Sequence, residues 1–557
     1  MAAAVSCVGP GRAVAGPDDR GASPPAALIF KAGRIWTGDP ARPWAEAVAV
    51  RDGAIVAVGD AAEVERSRGP ATRVVDHPGG FAMPGLIDAH THLEDLGAGL
   101  EEVDLRGVAS LDEVARRVAA RADERPGDGW IIGSSFDQSL WPGGEFAGRA
   151  VLDKVAPARP VWLRRVDGHA GWANSEAIRR AGVNRETQAP PDGQILRDAS
   201  GEPSGVFVDG AMGLIRRAIP PASQAEIERH ILAGQAIVVR WGIAGIHDAG
   251  VSAAEREAFL RLDHEGRLKL RVYAMASPPA GGEAAFVGRP VPPEWQGRLV
   301  RVRSIKLFMD GAMGSRGGLL FEPYSDDPGN RGLQLIDART LEATATAALR
   351  NGWQVNTHAI GDRANAMVLD AYAAARAAVP EARDPRLRVE HAQVVRRPDV
   401  ARFKALGVIA SMQPSHASDD LRWADARLGP GRVDGAYAWR WFLDAGVPVA
   451  FGSDFPVEVV SPFYGIYAAL TRSDEAGMPP GGWHPDQVLT VEEALRGFTS
   501  GSAFAAFDEG RVGVLKVGMR ADLTVIDRDP FRVKPIEVLR SKVLATVVDG
   551  EVVYEAK

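Results

Sequence analysis

The sequence predicts an α/β protein: a (β/α)8 TIM-like barrel with a β-sandwich domain built from both termini. Three observations predict it. Short runs of alternating apolar and polar residues, broken at turn dipeptides, occupy both ends of the chain. The middle alternates apolar strands with helical stretches, the signature of a parallel sheet. Several of those strands end in a histidine, lysine or aspartate, and a parallel barrel builds its site at the C-terminal ends of its strands.

The bulk properties set limits on function. A chain of 557 residues, 46% of them hydrophobic, fits one large barrel plus a smaller domain. Its 65 basic and 72 acidic residues are well mixed, with no basic stripe interleaved with aromatics, which argues against nucleic acid as a partner. No apolar run is long enough to span a bilayer. Cys7 is the only cysteine, so disulfides within the chain and cysteine metal clusters are excluded. Residues 1–26 are small, Gly/Pro-rich and aperiodic, and read as a disordered tail. This tail lacks a basic start, and Gly9 and Pro10 break its apolar run, so a cytoplasmic location is expected over secretion.

Taken in order, "ALIFKAGRIWTG" and "AVAVRDGAIVAVG" give the first strands of a β-sandwich over residues 27–80. "GVLKVGMRADLTVIDRD" and "VLATVVDGEVVYEAK" complete it over 508–557. Residues 81–507 form the barrel. Its clearest units are "GWQVNTHAI" before "ANAMVLDAYAAARAA", and "RLRVEHAQV" before "RPDVARFKALG", followed by "GVIASMQPS" and "VPVAFGSDFP". The stretch 96–245 loses this rhythm and reads as an insertion whose strands the pattern does not trace.

His90 and His92 stand one residue apart where "GLIDAHTHL" turns from apolar to polar. Alternate residues of a strand share a face, so both rings can grip one ion from a rigid element. Two ligands make no site by themselves. Lys306, His358, His391 and Asp454 end four further strands, so six groups converge on one rim if the barrel closes. Imidazole and carboxylate suit zinc. Lys306 is the odd member. As a cation it would pair with an acid such as Asp310; as a neutral buried amine it could react with carbon dioxide, and the resulting carbamate could bridge two metals.

This ordered set, HxH, Lys, His, His and Asp, resembles the amidohydrolase superfamily of metal-dependent hydrolases. The branch it resembles contains N-substituted formamide deformylases and, more distantly, D-aminoacylases. The strings that carry the resemblance are "RRVDGHAGWANSEAI", "KLFMDGAMGSRGG", "NTHAIGDRANAMVLDA", "RVEHAQ", "FGSDFPV" and "GVLKVGMRADLTVIDRDP", and it extends from about Ala27 to the end. Ser315-Arg316-Gly317-Gly318 departs from the branch's usual Thr-Ala continuation, which touches the pocket wall and not the ligand set. The resemblance implies two Zn2+ ions. His90, His92 and Asp454 would hold the buried one, His358 and His391 the other, with carbamylated Lys306 as the bridge. It also implies hydrolysis of a C–N bond, with Asp454 shuttling the proton. His169 would be a pocket residue donating to the substrate carbonyl.

Trp172 and Asn174 stand near His169 and are expected at the substrate, as are His247, which ends another apolar strand, and Arg316, which could meet an anionic group. Each has a plain alternative: packed core for Trp172 and His247, a surface ion pair for Arg316. His416 is read like His247. His77, His230, His264 and His484 read as solvated, Asp362 as a helix cap, and Glu390 as pointing away from the rim by alternation. The reaction expected is hydrolysis of an amide-type bond in a small N-acyl or N-formyl compound. The alternatives are hydrolysis of a cyclic amide, carbamate or ester at the same site, and a scaffold that has lost its activity. The expected partner is a small-molecule substrate, with no membrane, and a homo-oligomer is compatible with the sequence.

Overall fold

The computed structural model describes residues 24–165, 170–190 and 193–556. The expected tail over 1–26 therefore falls almost wholly outside the described residues, as does His169.

Eight strands form a parallel sheet in chain order: β1 (Leu86–Thr91), β2 (Ile243–Val251), β3 (Arg271–Ala276), β4 (Val300–Phe308), β5 (Gln354–Ala359), β6 (Arg388–His391), β7 (Ile409–Met412) and β8 (Val449–Phe451). All but a few of their residues are buried, as expected of parallel strands covered by helices on one side and a filled interior on the other. The helices Ala338–Arg350, Asp362–Ala378, Arg397–Leu406 and Pro414–Leu428 lie in the connections from β4 onward.

The seam between β8 and β1 is closed by a side chain. Buried Asp88 accepts from the Ser453 amide at 2.9 Å and the Ser453 hydroxyl at 2.7 Å. Beyond it the Asp454 amide donates to the His90 carbonyl at 2.8 Å and the His92 amide to that of Phe455 at 2.9 Å. Gly452 is obligatory here: a Cβ would lie 2.5 Å from the His90 amide nitrogen. The seam thus sets β1 and β8 side by side at the ends that carry His90, His92 and Asp454.

The two chain ends share one seven-stranded sheet, ordered Glu551–Glu555, Val543–Val548, Leu523–Ile526, Arg73–Pro84, Leu28–Trp36, Trp44–Arg51, Ala54–Gly59. Phe30, Val48 and Val75 from one half meet Leu523, Val525 and Val547 from the other in a single buried cluster. Its strand Arg73–Pro84 runs past residue 80 before the chain enters β1.

The irregular stretch between β1 and β2 is a module with its own six-stranded mixed sheet, from Val103–Asp104 at one edge to Gly193–Arg197 at the other. Trp141, Trp172 and Phe136 stack at its centre. No described helix is long and apolar enough to cross a membrane.

Candidate metal centre

Side-chain alternation carries most of the site. In β1, Asp88 and His90 share the interior face, as do Ser304 and Lys306 in β4, and Asn356 and His358 in β5. β6 differs. Arg388 and Glu390 point inward, so regular alternation would send His391 outward. Its backbone instead turns left-handed (φ +74°), and its ring enters the site. Asp454 makes the same turn after β8 (φ +66°). Left-handed non-glycine residues are strained and concentrate at functional sites.

The rings are close. His391 lies 4.8 Å from His90 and 4.5 Å from His358, centroid to centroid. Ligand-capable atoms of His90, His391 and Asp454 all fall within 4.8 Å of one another. His92 Nε2 lies 3.1 Å from Asp454 Oδ1, and Lys306 Nζ 2.9 Å from His90 Nε2. The buried Nε2 of His358 has no hydrogen-bond partner; the nearest carboxylate oxygen, on Asp310, is 3.6 Å away.

Partners behind the rings fix their tautomers. His90 Nδ1 donates to Glu390 Oε2 at 2.6 Å, and His391 Nδ1 to Gln413 Oε1 at 2.8 Å, which leaves each Nε2 lone pair facing the cavity. Burial, reinforced by Lys306, pushes His90 down to about 4 and His358 down to about 3, so both are neutral donors. Glu390 stays ionised: burial opposes this, but Arg388 at 2.9 Å and the His90 ring outweigh it. Arg388 itself is fully buried, donating to Ala89 O, Ser411 Oγ and His247 Nδ1. Burial lowers the Lys306 amine to about 8. Asp454 is held well below the usual carboxylate range because His90, His416 and His92 outweigh its burial.

Neutral, oriented imidazoles, a carboxylate, and an unpartnered Nε2 make a donor set that fits a divalent metal ion. The sequence profile of the amidohydrolase family matches residues 73–554, most of the chain. The chain belongs to the amidohydrolase family. N-substituted formamide deformylase of Arthrobacter pascens is 30% identical over 95% of this chain and 98% of its own. The Arabidopsis thaliana protein LONG AFTER FAR-RED 3 is 33% identical over 95% of this chain and 91% of its own. A solved metal-dependent hydrolase of Pyrococcus furiosus, uncharacterised in function, superposes with a TM-score of 0.77 at 30% identity, covering 91% of this chain and all of its own. This amidohydrolase is accordingly a metal-dependent hydrolase of carbon–nitrogen bonds.

Several residues expected at the substrate have other tasks in this amidohydrolase. Asn174 is a fully buried helix cap. Its Oδ1 accepts from the Val161 and Ala177 amides and its Nδ2 donates to Ala156 O and Arg159 O, leaving nothing for a ligand. Trp172 packs in the inserted module's core, because its strand turns it toward Phe136 and Trp141. Arg316 pairs with Asp326 at 2.8 Å. His247 lies deeper in the barrel, edge-on to Tyr273 and accepting from Arg388 at 3.0 Å, so it braces the arginine behind Glu390. Glu390 faces inward, contrary to the alternation argument. Asp310 accepts from the Leu319, Ile360 and Gly361 amides and does not pair with Lys306. Asp362 is the first residue of its helix and accepts from the Phe321 amide.

His416, expected from the sequence to resemble His247, stands beside Asp454 instead. It follows β7 on the helix Pro414–Leu428, with Nε2 3.3 Å from Asp454 Oδ2 and Nδ1 2.9 Å from Glu458 Oε1. The signal was present: "SMQPSHASDD" is one more apolar strand ending in a ligand-type residue.

Proposed function

We propose that this amidohydrolase cleaves the C–N bond of a small N-acyl or N-formyl compound at a pair of zinc ions. His90, His92 and Asp454 would hold one ion, His358 and His391 the other, and a carbamate on Lys306 would bridge them. The observation that carries this reading is the donor cluster of His90, His391 and Asp454, with the unpartnered His358 Nε2 beside it. The cavity above the cluster, about 380 Å³, suits a small molecule.

A metal pair supplies, when bound, an acidified water and polarisation of the scissile carbonyl. The chain's own residues manage position and protons. Asp454, held ionised, can accept a proton from the attacking water and return it to the departing nitrogen, without which an amide expels a poor leaving group. His416 Nε2 steadies Asp454 Oδ2, and Glu458 fixes the ring from behind. Glu390 and Gln413 keep the His90 and His391 rings aimed. The described cavity lining contains no serine or cysteine, which supports water as the nucleophile.

Lys306 supports the carbamate reading through its lowered basicity and its place among histidines, where a free ammonium would repel metal. The test combines elemental analysis of the purified protein with a hydrolysis screen of N-formyl and N-acyl amines. Close to two equivalents of transition metal and turnover of at least one amide are expected. Far less than one equivalent after growth with zinc would refute the metal pair.

A further inference from the structure

The mouth of the cavity contains a second built carboxylate. The helix Pro414–Leu428 presents His416, Asp420 and Trp423 to the cavity at four- and three-residue steps, along one face. Asp420 Oδ2 accepts from the Tyr437 hydroxyl and from Gln393 Nε2 at 3.3 Å. Among the described residues, no hydrogen bond or ion pair reaches its Oδ1.

Considerable structure goes into holding that carboxylate. Tyr437 has a left-handed backbone (φ +52°), and its carbonyl accepts from Arg472 at 2.9 Å. Arg472 is also left-handed (φ +55°) and fully buried, 4.6 and 4.7 Å from the rings of Trp439 and Trp483. No carboxylate lies within ion-pair distance of it among the described residues, and burial pushes it down to about 9. Strained backbone and a buried cation without a carboxylate partner both cost free energy, and Arg472 holds the Tyr437 backbone whose side-chain hydroxyl donates to Asp420.

The surroundings define what could meet Oδ1. Phe308, Met313, Ile360 and Val457 make an apolar wall. Lys306 is the only lysine or arginine among the described lining residues; His416, whose pKa is raised against its burial by hydrogen bonds with Asp454 and Glu458, is paired with those two carboxylates, and among the described residues no hydrogen bond or ion pair links it to Asp420. Arg316 and Arg427, beyond the Gly314 turn, are both paired with Asp326. Burial raises the Asp420 carboxyl, partly offset by His416 and by the Tyr437 hydroxyl.

We propose that Asp420 is a specificity-determining residue that binds a protonated amino group, so that the preferred substrate is a small amide bearing a cationic amine across an apolar chain, such as a mono-N-acylated diamine. N-acylated amino acids are disfavoured, because their carboxylate would face Asp420. The inference rests on the amide-hydrolase reading above.

Three amides of matched length test it on the metal-loaded protein: mono-N-acetylated pentanediamine, N-acetylhexylamine and N-acetyl-aminohexanoate, with their formyl counterparts. The expected order of kcat/KM is cationic, neutral, anionic, with about tenfold or more between the first two, the scale of one charge-assisted hydrogen bond. In Asp420→Asn the cationic-to-neutral ratio should collapse towards one. Tyr437→Phe, which frees Asp420 without removing it, should lower the ratio part of the way, and it carries the comparison if Asp420→Asn does not fold. Equal rates for the cationic and neutral amides, or a ratio unmoved by either variant, overturn the assignment and leave amide hydrolysis standing. Hydrolysis of none of them sinks the amide reading instead, and Asp420 is then judged by calorimetry. Pentanediamine should bind wild type more tightly than hexylamine and lose that advantage in Asp420→Asn; equal binding overturns the proposal.

Discussion

Asp454 illustrates how single residues make this site. It follows β8 in a left-handed turn that brings its carboxylate between His92 and His416. Asp454→Asn keeps the shape and one oxygen but cannot carry a proton, so turnover should fall ~10²–10⁴-fold with the fold intact. Wild-type turnover on an unactivated amide would show that the proton travels another way. Lys306→Ala should abolish activity and regain part of it with added short carboxylic acids, which can occupy the place of a carbamate; full rate and metal content in Lys306→Arg would dismiss the carbamate. Glu390→Gln weakens the acceptor for His90 Nδ1, and the metal dissociation constant should rise roughly 10–100-fold in competition with a chelator. That the six expected residues gather at one cavity is legible because each lies at the end of an apolar strand, a local signal. Glu390 is not, because the left-handed turn at His391 breaks the alternation between the two residues. Nor is His416, because its partners lie 38 and 42 residues away, on a loop that only the closed barrel brings near.

At the scale of elements, the barrel strands from β5 onward could be read because each is short, largely apolar and followed by a helix. The inserted module could not. Its sheet order runs Gly193–Arg197, Pro203–Asp209, Ala170–Ala173, Val161–Arg165, Ile131–Phe136, Val103–Asp104, mixing parallel and antiparallel neighbours, and its edge strand has two residues. Such short edges lack a period long enough to detect. Asn174 shows how the module is pinned: one side chain caps the helix Ser175–Arg180 and ties it to Val161, Ala156 and Arg159. Asn174→Ala should therefore cost ~1–2 kcal/mol for the cap alone, read by denaturant unfolding, with metal content unchanged. Loss of metal in that variant would place Asn174 at the site after all.

At the scale of the whole molecule, a neck of two packed helices lies where the inserted module leaves and rejoins the barrel. The chain enters the module past the helix Leu93–Gly99 and returns through Gln224–Val238, and these two helices touch so closely that a Cβ on Gly97 would overlap the His230 carbonyl. His230, expected in solvent, is buried there as a clasp: Nδ1 lies 2.6 Å from Glu94 and Nε2 3.1 Å from Glu101. The hydrogen bond with Glu94, aided by Glu101 and opposed by burial, raises the His230 pKa above 6.5. Between the unfolded and folded values the native state then holds more protons than the unfolded chain, so this contribution declines as pH rises. It is complete below the unfolded value and lost as pH climbs through the folded one. The difference in unfolding free energy between wild type and His230→Gln should accordingly be larger at about pH 6 than at about pH 9. Taking that difference at each pH cancels the titration of distant groups common to both proteins. Because a chain of this size need not unfold in one step, amide exchange in Leu93–Gly99 and Gln224–Val238 is the sharper readout, with faster opening of both helices expected in the variant. A stability difference that stayed flat or grew with pH would mean that the clasp works through the neutral ring and its packing, not through an ion pair.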